Sequence, residues 1–448
     1  MVWQKYLLSN APRYTSFPSA LFFDDRVNGD VLSGALAQIA PYEPVSLYLH
    51  VPFCQQLCWY CGCNMSVENN YDRAAHYTQT LIREIELAAR HLEGRGEVVS
   101  IHFGGGTPNF LSREDLGKIF DAVELNLGLT DKTHIAMEVD PRYCPPGLIR
   151  SLAAFGVNRF SIGVQDFDIR VQAAINRIQP YELIEECVAE MRASGIDDIS
   201  FDLLYGLPHQ STKVFASTLE KAESLSPDRI SLFGYAHLPA RLKHQRLIRD
   251  EDLPDRDARY ALSQQADSYL VEHGYCRVGF DHFAKPDNPL AYAAMTGNLR
   301  RNFQGFTDDI AENVIGLGVS AISLVKGVYA QNAKRTDQYT RLIEAGELAV
   351  EKGWVRSAED ETCGRIISDL LCFRSTNLND YYPVAEATSP SKLAGIRARL
   401  SPYIEDGIAV WEDGKIIIPE QARAFSRVVA AAFDPYIETT QKSLTQAV

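Results

Sequence analysis

The sequence predicts an α/β fold in which six strand–helix units form a parallel sheet, with a mostly helical region after them. Six runs rich in apolar and β-branched residues are the predicted strands, at 45–51, 97–103, 134–139, 159–164, 198–204 and 229–234. Stretches with apolar residues at helical spacing lie between them, at 70–94, 112–127, 146–155, 180–194 and 211–225. This alternation is typical of parallel strands joined by crossover helices, and six units are fewer than the eight that close a barrel.

Composition excludes several classes of protein. The chain has 448 residues, with 46% hydrophobic and 23% charged residues, which is ordinary for a globular protein of two or three domains or one large barrel with additions. A net charge of −14 argues against a nucleic-acid binder with a basic surface. The first residues lack a signal-peptide pattern, and the longest apolar stretch, 314–325, is too short to span a bilayer. We therefore expect a cytoplasmic protein without a membrane anchor, whose thiols stay reduced.

The chain begins with a predicted arm, residues 1–40, which is interrupted by Pro12, Pro18 and Gly29. Arg13 lies in it between a proline and an aromatic residue. It is either a surface arginine in a loop or a ligand for a carboxylate.

Four cysteines lie within ten residues directly after the first predicted strand, at Cys54, Cys58, Cys61 and Cys63. A structural zinc would need a second, distant pair of cysteines or histidines, and the other five cysteines are isolated. Clustered thiolates favour an iron–sulfur cluster, and three ligands to a four-iron cube would leave one iron open to a substrate. Zinc, and structural or redox thiols, remain alternatives at this point. Cys63 is either a fourth ligand or a bystander.

Other polar and glycine residues follow the later strands. Glycines at Gly104–Gly106 come after the second strand and let a ligand approach the backbone, followed by Thr107. Glu138 ends the third strand, where it either faces solvent or accepts hydrogen bonds from ribose hydroxyls. Gln165, Arg177 and Asp202 lie near the ends of later strands or in the loops beyond them.

Residues 240–348 contain a predicted helix near 256–273, followed by loops with Arg300, Arg301 and Gln304. The paired arginines form either a solvated face or counter-charges for substrate carboxylates. Ile322 follows a run of small residues whose backbone could line a ligand.

The pattern changes near residue 350 to helices at 362–372 and 390–402, a hairpin at 408–419 with an Asp-Gly turn, and a helix at 420–434. This arrangement predicts a winged-helix-like domain that is not basic, so packing or substrate enclosure is expected instead of DNA binding. The predicted division is therefore 1–40, 41–348 and 349–448.

Cys54, Cys58 and Cys61, with Tyr60 before the third, resemble the cluster loop of the radical S-adenosylmethionine (radical SAM) superfamily. The extension Cys61-Gly-Cys-Asn64 is similar to that of one family within it, the oxygen-independent coproporphyrinogen III oxidases. Further segments that resemble this family are 12–18, 104–108, 138–142, 163–167, 235–239, 281–284, 301–305 and 318–322. The sequence near Cys372 and at 307–314 departs from the family pattern.

The resemblance implies a partial, three-quarter TIM-like (β/α)6 barrel that holds a 4Fe-4S cluster on Cys54, Cys58 and Cys61. It implies a first SAM molecule bound by Tyr48, Gly105, Glu138 and Ile322. It implies a second SAM molecule bound by Tyr60, Gly106, Thr107, Gln165, Arg177, Asp202 and Ala236. Cys63 becomes a candidate catalytic auxiliary, and Arg13, Arg301 and Gln304 become candidates for substrate contact.

The implied reaction is oxidative decarboxylation of two propionates of coproporphyrinogen III to vinyl groups by a SAM-derived 5′-deoxyadenosyl radical, in haem biosynthesis. The implied partner is an electron donor such as flavodoxin or ferredoxin, and the implied assembly is a monomer. Two alternatives stay open. One is a related haem chaperone or haem-degrading methyltransferase, although such proteins generally lack the arm and the Cys-Gly-Cys-Asn extension. The other is a zinc-stabilised binding module without catalysis.

Overall fold

The computed structural model describes residues 2–382 and 389–437. The remaining parts of the predicted C-terminal domain, 383–388 and 438–448, lie outside the described residues. The strands are β1 (Pro44–Val51), β2 (Phe53–Cys54), β3 (Ser66–Val67), β4 (Glu97–Gly105), β5 (His134–Val139), β6 (Arg159–Gln165), β7 (Asp198–Tyr205), β8 (Arg229–Gly234), β9 (Cys276–Val278), β10 (His282–Ala284), β11 (Arg300–Asn302), β12 (Gly305–Thr307), β13 (Asn313–Leu317), β14 (Ile322–Val325), β15 (Val328–Asn332), β16 (Val350–Val355), β17 (Ser375–Asn377), β18 (Val410–Glu412) and β19 (Lys415–Ile417).

The α-helices have polar caps at most of their N-termini, where a side-chain oxygen accepts a free backbone N–H. The helices are α1 (Gly29–Leu36), α2 (Tyr71–Leu92), α3 (Arg113–Leu127), α4 (Leu148–Ala154), α5 (Ile169–Ala174), α6 (Tyr181–Ala193), α7 (Thr212–Ser224), α8 (Arg256–Glu272), α9 (Pro289–Thr296), α10 (Thr336–Glu344), α11 (Ala358–Phe373), α12 (Ser389–Glu405) and α13 (Ser426–Ala430). No helix in the described ranges combines the length and the apolar character needed to cross a membrane.

Contacts group the chain into two compact units. We call residues 23–253 and 309–355 the barrel unit, and the described parts of 1–22, 254–308 and 356–448 the composite unit. The units are therefore assembled from segments that are distant in sequence. The division at 40 and 348 is a division along the sequence and stays a prediction.

The barrel unit contains a sheet with the strand order β16-β15-β14-β13-β1-β4-β5-β6-β7-β8. From β13 to β8 all neighbours are parallel, whereas β14, β15 and β16 are antiparallel additions at one side. The six predicted strands are present as β1 and β4 to β8, in sequential order, with helices in the predicted connections. The predicted α/β partial barrel is confirmed, and the carboxyl ends of its strands meet at one edge.

The core of the barrel unit lies between the sheet and its helices. Alternate residues of the strands, such as Leu49, Phe103, Phe160 and Phe201, are essentially inaccessible to solvent. Their burial supplies the main stabilisation of the unit, at about 2–3 kcal/mol for each large side chain. The core therefore fixes the strand ends from which the loops of the site emerge.

The composite unit is mostly helical. It contains the three-stranded sheet β17-β19-β18 and the predicted hairpin, whose turn residues Asp413 and Gly414 both have positive φ. Residues 2–22 of the predicted arm belong to this unit, where Trp3 Nε1 donates to the Asp406 carbonyl at 2.7 Å and Tyr14 Oη donates to Asp434 Oδ2 at 3.1 Å. The rest of the arm belongs to the barrel unit.

The prediction of one continuous helix at 420–434 is wrong. The segment contains two 3₁₀ turns, Glu420–Phe425 and Ala431–Phe433, on either side of the short α13. Most of its apolar side chains are buried, on more than one face. Packing from several directions therefore sets the local backbone in place of one amphipathic face.

Candidate active site

Cys54, Cys58, Cys61 and Cys63 lie at the carboxyl end of β1, on a segment from β2 to β3 that we call the cysteine loop. β2 pairs in parallel with β3, and the Gly106 backbone N–H donates to the Val51 carbonyl at 2.8 Å. The Cys54 Sγ lies 3.3 Å from Thr107 Oγ1, which places the first predicted ligand against the glycine turn after β4.

The second predicted ligand lies against two arginines. Cys58 Sγ is 3.5 Å from the guanidinium of Arg142 and 3.6 Å from that of Arg177. Both guanidinium groups also bind the Asp140 carboxylate, at 2.7 Å from Arg142 and 3.0 Å from Arg177. Burial opposes ionisation of Asp140, but the charges of Arg177 and Arg142 hold its pKa below the usual range.

The third predicted ligand receives hydrogen bonds from the residue two positions later. The Cys63 backbone N–H donates to Cys61 Sγ at 3.4 Å. The hydrogen bond from the Cys63 thiol, more than any other contact, lowers the pKa of the Cys61 thiol. His244 Nε2 lies 2.7 Å from the Cys61 carbonyl and fixes the loop from the other side.

The donor set fits an iron–sulfur cluster. Thiolate is the form that ligates iron, and hydrogen bonding from Cys63 favours the thiolate of Cys61. The two guanidinium groups beside Cys58 Sγ supply positive charge that suits a cluster held by anionic thiolates. Within residues 2–382 and 389–437, no three His, Cys, Asp or Glu side chains are arranged around one metal-ion position. A four-iron cluster takes one protein thiolate for each ligated iron, so donor chemistry is the relevant test here.

Glu138 is oriented by two donors at the edge of the sheet. Its Oε2 accepts the Gly105 backbone N–H at 3.3 Å, and its Oε1 lies 3.1 Å from His102 Nε2. The His102 ring stacks on Tyr48, with centroids 5.9 Å apart, and the Tyr48 hydroxyl lies 3.1 Å from His50 Nδ1. The carboxylate stays partly exposed, at 41% of its side chain, so it can still accept from a ligand.

The end of β4 requires glycine, because its backbone lies directly against residues of β1 and of the cysteine loop. A Cβ on Gly105, whose φ is +118°, would lie 2.7 Å from the His50 ring. A Cβ on Gly106 would lie 2.8 Å from the Phe53 carbonyl oxygen in the cysteine loop. Only glycine lets the turn after β4 pack directly against the loop after β1.

The later strand ends bring three more predicted residues together. Arg177 donates to the Gly163 carbonyl at 2.7 Å, and a Cβ on Gly163 would meet Gln165 Nε2 at 2.9 Å and Arg177 at 3.1 Å. Gln165 has a positive φ of 67° at the end of β6. Asp202 pairs with Gly163 in the register of β6 and β7 and accepts from the Ser161 hydroxyl at 3.4 Å.

Three predicted residues at the flanks are linked through neighbours. Gln245 Nε2 donates to the Tyr60 carbonyl at 3.1 Å and to the Ala236 carbonyl at 3.2 Å, so one side chain joins both. On the other flank Tyr48 pairs with Gly316 in the register of β1 and β13. A Cβ on Gly316 would lie 2.6 Å from the Ile322 carbonyl oxygen, so the backbone of Ile322 lies directly against Gly316.

The predicted substrate residues lie in the composite unit. Arg301 Nε and Nη2 donate to the Arg13 carbonyl at 3.3 and 3.1 Å, and its guanidinium lies 4.5 Å from the ring centroid of Phe306. Burial lowers the pKa of Arg301, and its Nη1 has no hydrogen-bond partner among the described residues. The Gln304 backbone N–H donates to Asn302 Oδ1 at 2.9 Å, which sets the turn between β11 and β12.

Several residues that organise the site were not predicted from the sequence: His50, His102, Asp140, Arg142 and Gln245. Asp140 and Arg142 could have been found, because an acidic and a basic residue directly after a predicted strand indicate a site at the strand end. The two histidines sit on β1 and β4, where alternation alone does not separate a core histidine from a site residue.

Comparison with known proteins agrees with this geometry. Residues 48–222 match the radical SAM superfamily. This range includes the cysteine loop and most of the parallel strands. The chain is 38% identical to an oxygen-independent coproporphyrinogen III oxidase of Cereibacter sphaeroides, over 98% of this chain and 97% of the relative. It is 37% identical to the Escherichia coli enzyme of the same name, over 97% of this chain and 94% of the relative.

The fold also matches a solved structure from end to end. The solved structure of coproporphyrinogen III oxidase from Escherichia coli, described as a radical SAM enzyme, aligns with a TM-score of 0.90 and 36% identity. The alignment covers 95% of this chain and 97% of that chain. The chain therefore belongs to the oxygen-independent coproporphyrinogen III oxidase family of the radical SAM superfamily.

Proposed function

We propose that this chain converts coproporphyrinogen III to protoporphyrinogen IX by oxidative decarboxylation of two propionate side chains. The observation that carries the proposal is the cysteine loop, held at the carboxyl ends of the strands between an arginine-lined side and Glu138. The full-length similarity to oxidases of this name supports the choice of substrate.

Radical SAM enzymes use a 4Fe-4S cluster and SAM, and Cys54, Cys58 and Cys61 would hold the cluster here. The chemistry that these cofactors supply when bound is one-electron cleavage of SAM to methionine and a 5′-deoxyadenosyl radical. Each round takes one hydrogen atom from a propionate, and loss of carbon dioxide and one electron then leaves a vinyl group. The chain itself positions the reactants and excludes water from them.

We propose that the strand ends hold two SAM molecules. Tyr48, Gly105, Glu138 and Ile322 belong to β1, β4, β5 and β14, and the Gly105 N–H donates to Glu138, which suits a first SAM. The residues proposed for a second SAM are Tyr60, Gly106, Thr107, Gln165, Arg177, Asp202 and Ala236. Among them Arg177 suits a carboxylate and Asp202 suits an ammonium or hydroxyl groups.

Cys63 is proposed as a catalytic auxiliary rather than a cluster ligand. It is exposed, and its backbone N–H donates to the Cys61 sulfur at 3.4 Å. A Cys63→Ser protein is expected to keep its iron and lose most of its decarboxylation. Full activity with an intact cluster would remove Cys63 from the mechanism.

Substrate carboxylates are proposed to meet the arginines of the composite unit. Arg301 keeps one guanidinium nitrogen without a hydrogen-bond partner among the described residues, and it lies beside Arg13 and three residues before Gln304. A tetrapyrrole with four propionates needs such counter-charges in a protein of net charge −14.

The remaining proposals concern the setting. We propose a cytoplasmic monomer that binds neither nucleic acid nor membrane, with a small redox protein such as flavodoxin or ferredoxin as electron donor. The acidic overall charge and the reduced thiols that the proposed ligands require support this setting.

Anaerobically reconstituted protein incubated with SAM, a reductant and coproporphyrinogen III tests the function by product mass. Loss of two carboxyl groups, with 5′-deoxyadenosine and methionine formed, is the expected result. SAM cleavage without decarboxylation would point instead to a haem-handling relative. A Cys54→Ala protein, which lacks one proposed cluster ligand, is the control and should do neither.

A further inference from the structure

A short segment directly after α5, residues 175–177, supports the middle of the cysteine loop, and we call it the supporting segment. The Trp59 backbone N–H donates to the Ile175 carbonyl at 2.9 Å. The Asn176 side chain donates through Nδ2 to the Leu57 carbonyl at 2.8 Å. The loop is therefore bound to this segment on both sides of the proposed cluster ligand between these two residues.

Both polar atoms of the Asn176 side chain bind the two residues that precede Cys58. Besides the Nδ2 contact with Leu57, the Oδ1 accepts from Gln56 Nε2 at 2.9 Å. The φ of Asn176 is +55°, in the left-handed region that asparagine tolerates better than most residues. The next residue of the segment is Arg177, whose guanidinium lies 3.6 Å from Cys58 Sγ. Asn176 therefore fixes the backbone beside the sulfur that Arg177 contacts.

The supporting segment is itself anchored to the sheet by two buried glutamines, one before it and one after it. Gln172 Nε2 donates to the carbonyls of Asp166 and Gln179, at 2.9 and 2.8 Å. The Gln179 backbone N–H donates to Gln172 Oε1 at 2.9 Å, and Gln179 Nε2 donates to the Gly163 carbonyl of β6 at 3.2 Å. A fixed segment of this kind can hold the cysteine loop in one position.

We propose that Asn176 is a positioning residue that holds Cys58 Sγ beside the guanidinium groups of Arg142 and Arg177. It acts through the Leu57 carbonyl, in the residue next to Cys58. The inference rests on the proposed function, because it takes Cys58 as a cluster ligand. Hydrogen bonds and positive charge at the sulfurs of an iron–sulfur cluster favour its reduced form, which carries one more negative charge. Asn176 therefore contributes to the reduction potential of the cluster without binding it.

Two variants separate the side-chain contact from the backbone conformation. Asn176→Gly accepts the positive φ without strain and removes both amide contacts. Asn176→Asp keeps the size and the Oδ1 acceptor but replaces the donor to the Leu57 carbonyl with a second acceptor. Asn126→Ala is the matched control, because Asn126 Nδ2 donates to the Ala122 carbonyl at 2.8 Å within α3.

Anaerobically reconstituted holoenzymes should be compared by three measurements on the same samples. Hydrogen exchange of a peptide that contains Leu57 and Trp59, followed by mass, reports the attachment of the loop without reference to activity. A redox titration of the cluster gives its reduction potential. Formation of 5′-deoxyadenosine from SAM with dithionite gives the rate of SAM cleavage, and thermal unfolding monitors the fold as a whole.

In both Asn176 variants we expect about tenfold faster exchange in this peptide, since one hydrogen bond no longer holds the loop. The reduction potential should fall, and SAM cleavage should drop by about tenfold. Asn126→Ala should match the wild type in all three measurements.

Exchange as slow as in the wild type in Asn176→Gly would overturn the proposal, and so would faster exchange with an unchanged potential. If Asn176→Gly does not fold, Asn176→Asp decides the question by the same criteria. Failure of the wild type to decarboxylate coproporphyrinogen III, with SAM cleavage intact, would count against the proposed function and leave this inference standing.

Discussion

At the scale of single residues, one buried carboxylate organises the positive charge around the proposed cluster ligand Cys58. Asp140 binds both Arg142 and Arg177, so each guanidinium is partly neutralised and held at a fixed distance from the sulfur. Arg142 reaches Cys58 only through this arrangement, which comes from the loop after β5 and not from the cysteine loop itself.

Replacing Arg142 should therefore weaken the site without unfolding the chain. In Arg142→Ala, Asp140 keeps Arg177, while Cys58 loses one of its two guanidinium donors. We expect SAM cleavage to fall by about tenfold, as is usual when a partner of a metal ligand is removed. Iron per chain and 5′-deoxyadenosine formation measure the effect. Arg170→Ala, which removes an exposed arginine from α5, is the matched control, and an equal loss in both variants would refute the assignment.

His102 should orient Glu138 for SAM. His102→Phe keeps a ring to stack on Tyr48 but removes the 3.1 Å contact with Glu138 Oε1. Since a hydrogen bond to a charged group contributes about 1.5–3 kcal/mol, SAM affinity should drop by about tenfold or more. Equilibrium binding of SAM to the reconstituted protein is the measurement. His134→Phe, at the exposed start of β5, should bind normally, and an unchanged affinity in His102→Phe would contradict the role.

Residue identities in the motif were predictable from the sequence, but their partners were not. The spacing of Cys54, Cys58 and Cys61 and the position of Glu138 carry a local signal. Gln245 binds the carbonyls of Tyr60, which precedes it by 185 positions, and of Ala236, which precedes it by 9. No local sequence pattern predicts such contacts.

At the scale of elements, the turn after β4 and the loop after β1 pack as one layer. Their backbones approach so closely that Gly106 has no room for a side chain. The strands themselves were predictable because periodicity, β-branched residues and turn signals agree there. The segment 420–434 was not, because contacts from several sides set its backbone.

Gly106→Ala should displace the cysteine loop, since its Cβ would lie 2.8 Å from the Phe53 carbonyl oxygen. We expect a loss of about 1–3 kcal/mol in the free energy of unfolding and a larger proportional loss of bound iron. Thermal unfolding and iron analysis measure both. Gly34→Ala is the control, because no atom lies within 4 Å of its Cβ in α1, and it should stabilise the helix slightly. Normal iron loading of Gly106→Ala would contradict the close approach.

A buried carboxyl group makes the packing of α2 sensitive to pH. Glu84 accepts hydrogen bonds from Gly318 N, Asn332 Nδ2 and Tyr339 Oη, but burial dominates and raises its pKa to about 7. In the unfolded chain the pKa of a Glu side chain is about 4.3. Between that pH and about 7, Glu84 is therefore protonated in the folded state and ionised in the unfolded state. Stability should therefore fall as the pH rises from about 4.5 to 7, by about 3 kcal/mol at most.

Denaturant unfolding of the wild type and of Glu84→Gln between pH 5 and 8 tests this dependence. The amide does not titrate, so its free energy of unfolding should change less with pH than that of the wild type. Parallel pH profiles in the two proteins would show that Glu84 titrates with an ordinary pKa.

At the scale of the whole molecule, the order of strands and helices was predictable from the sequence, but their division between the two compact units was not. Each unit draws on segments separated by long stretches of chain, and contacts between distant segments leave no periodic trace in the sequence. The first part of the predicted arm belongs to the composite unit, where Trp3 and Tyr14 bind Asp406 and Asp434.

The proposed monomer is the prediction that belongs to this scale. Light scattering of the reconstituted protein should give a mass near the 50.0 kDa of one chain, independent of concentration. A mass of twice this value that persists on dilution would exclude it.

The central position of β1 has a consequence for biosynthesis. β1 pairs with β4 on one side and on the other with β13, which ends at Leu317. A nascent chain that has exposed the cysteine loop therefore lacks one wall of its pocket until more than half of the protein has left the ribosome. A chain truncated before β13 would therefore present its thiols beside an unpaired edge of β1.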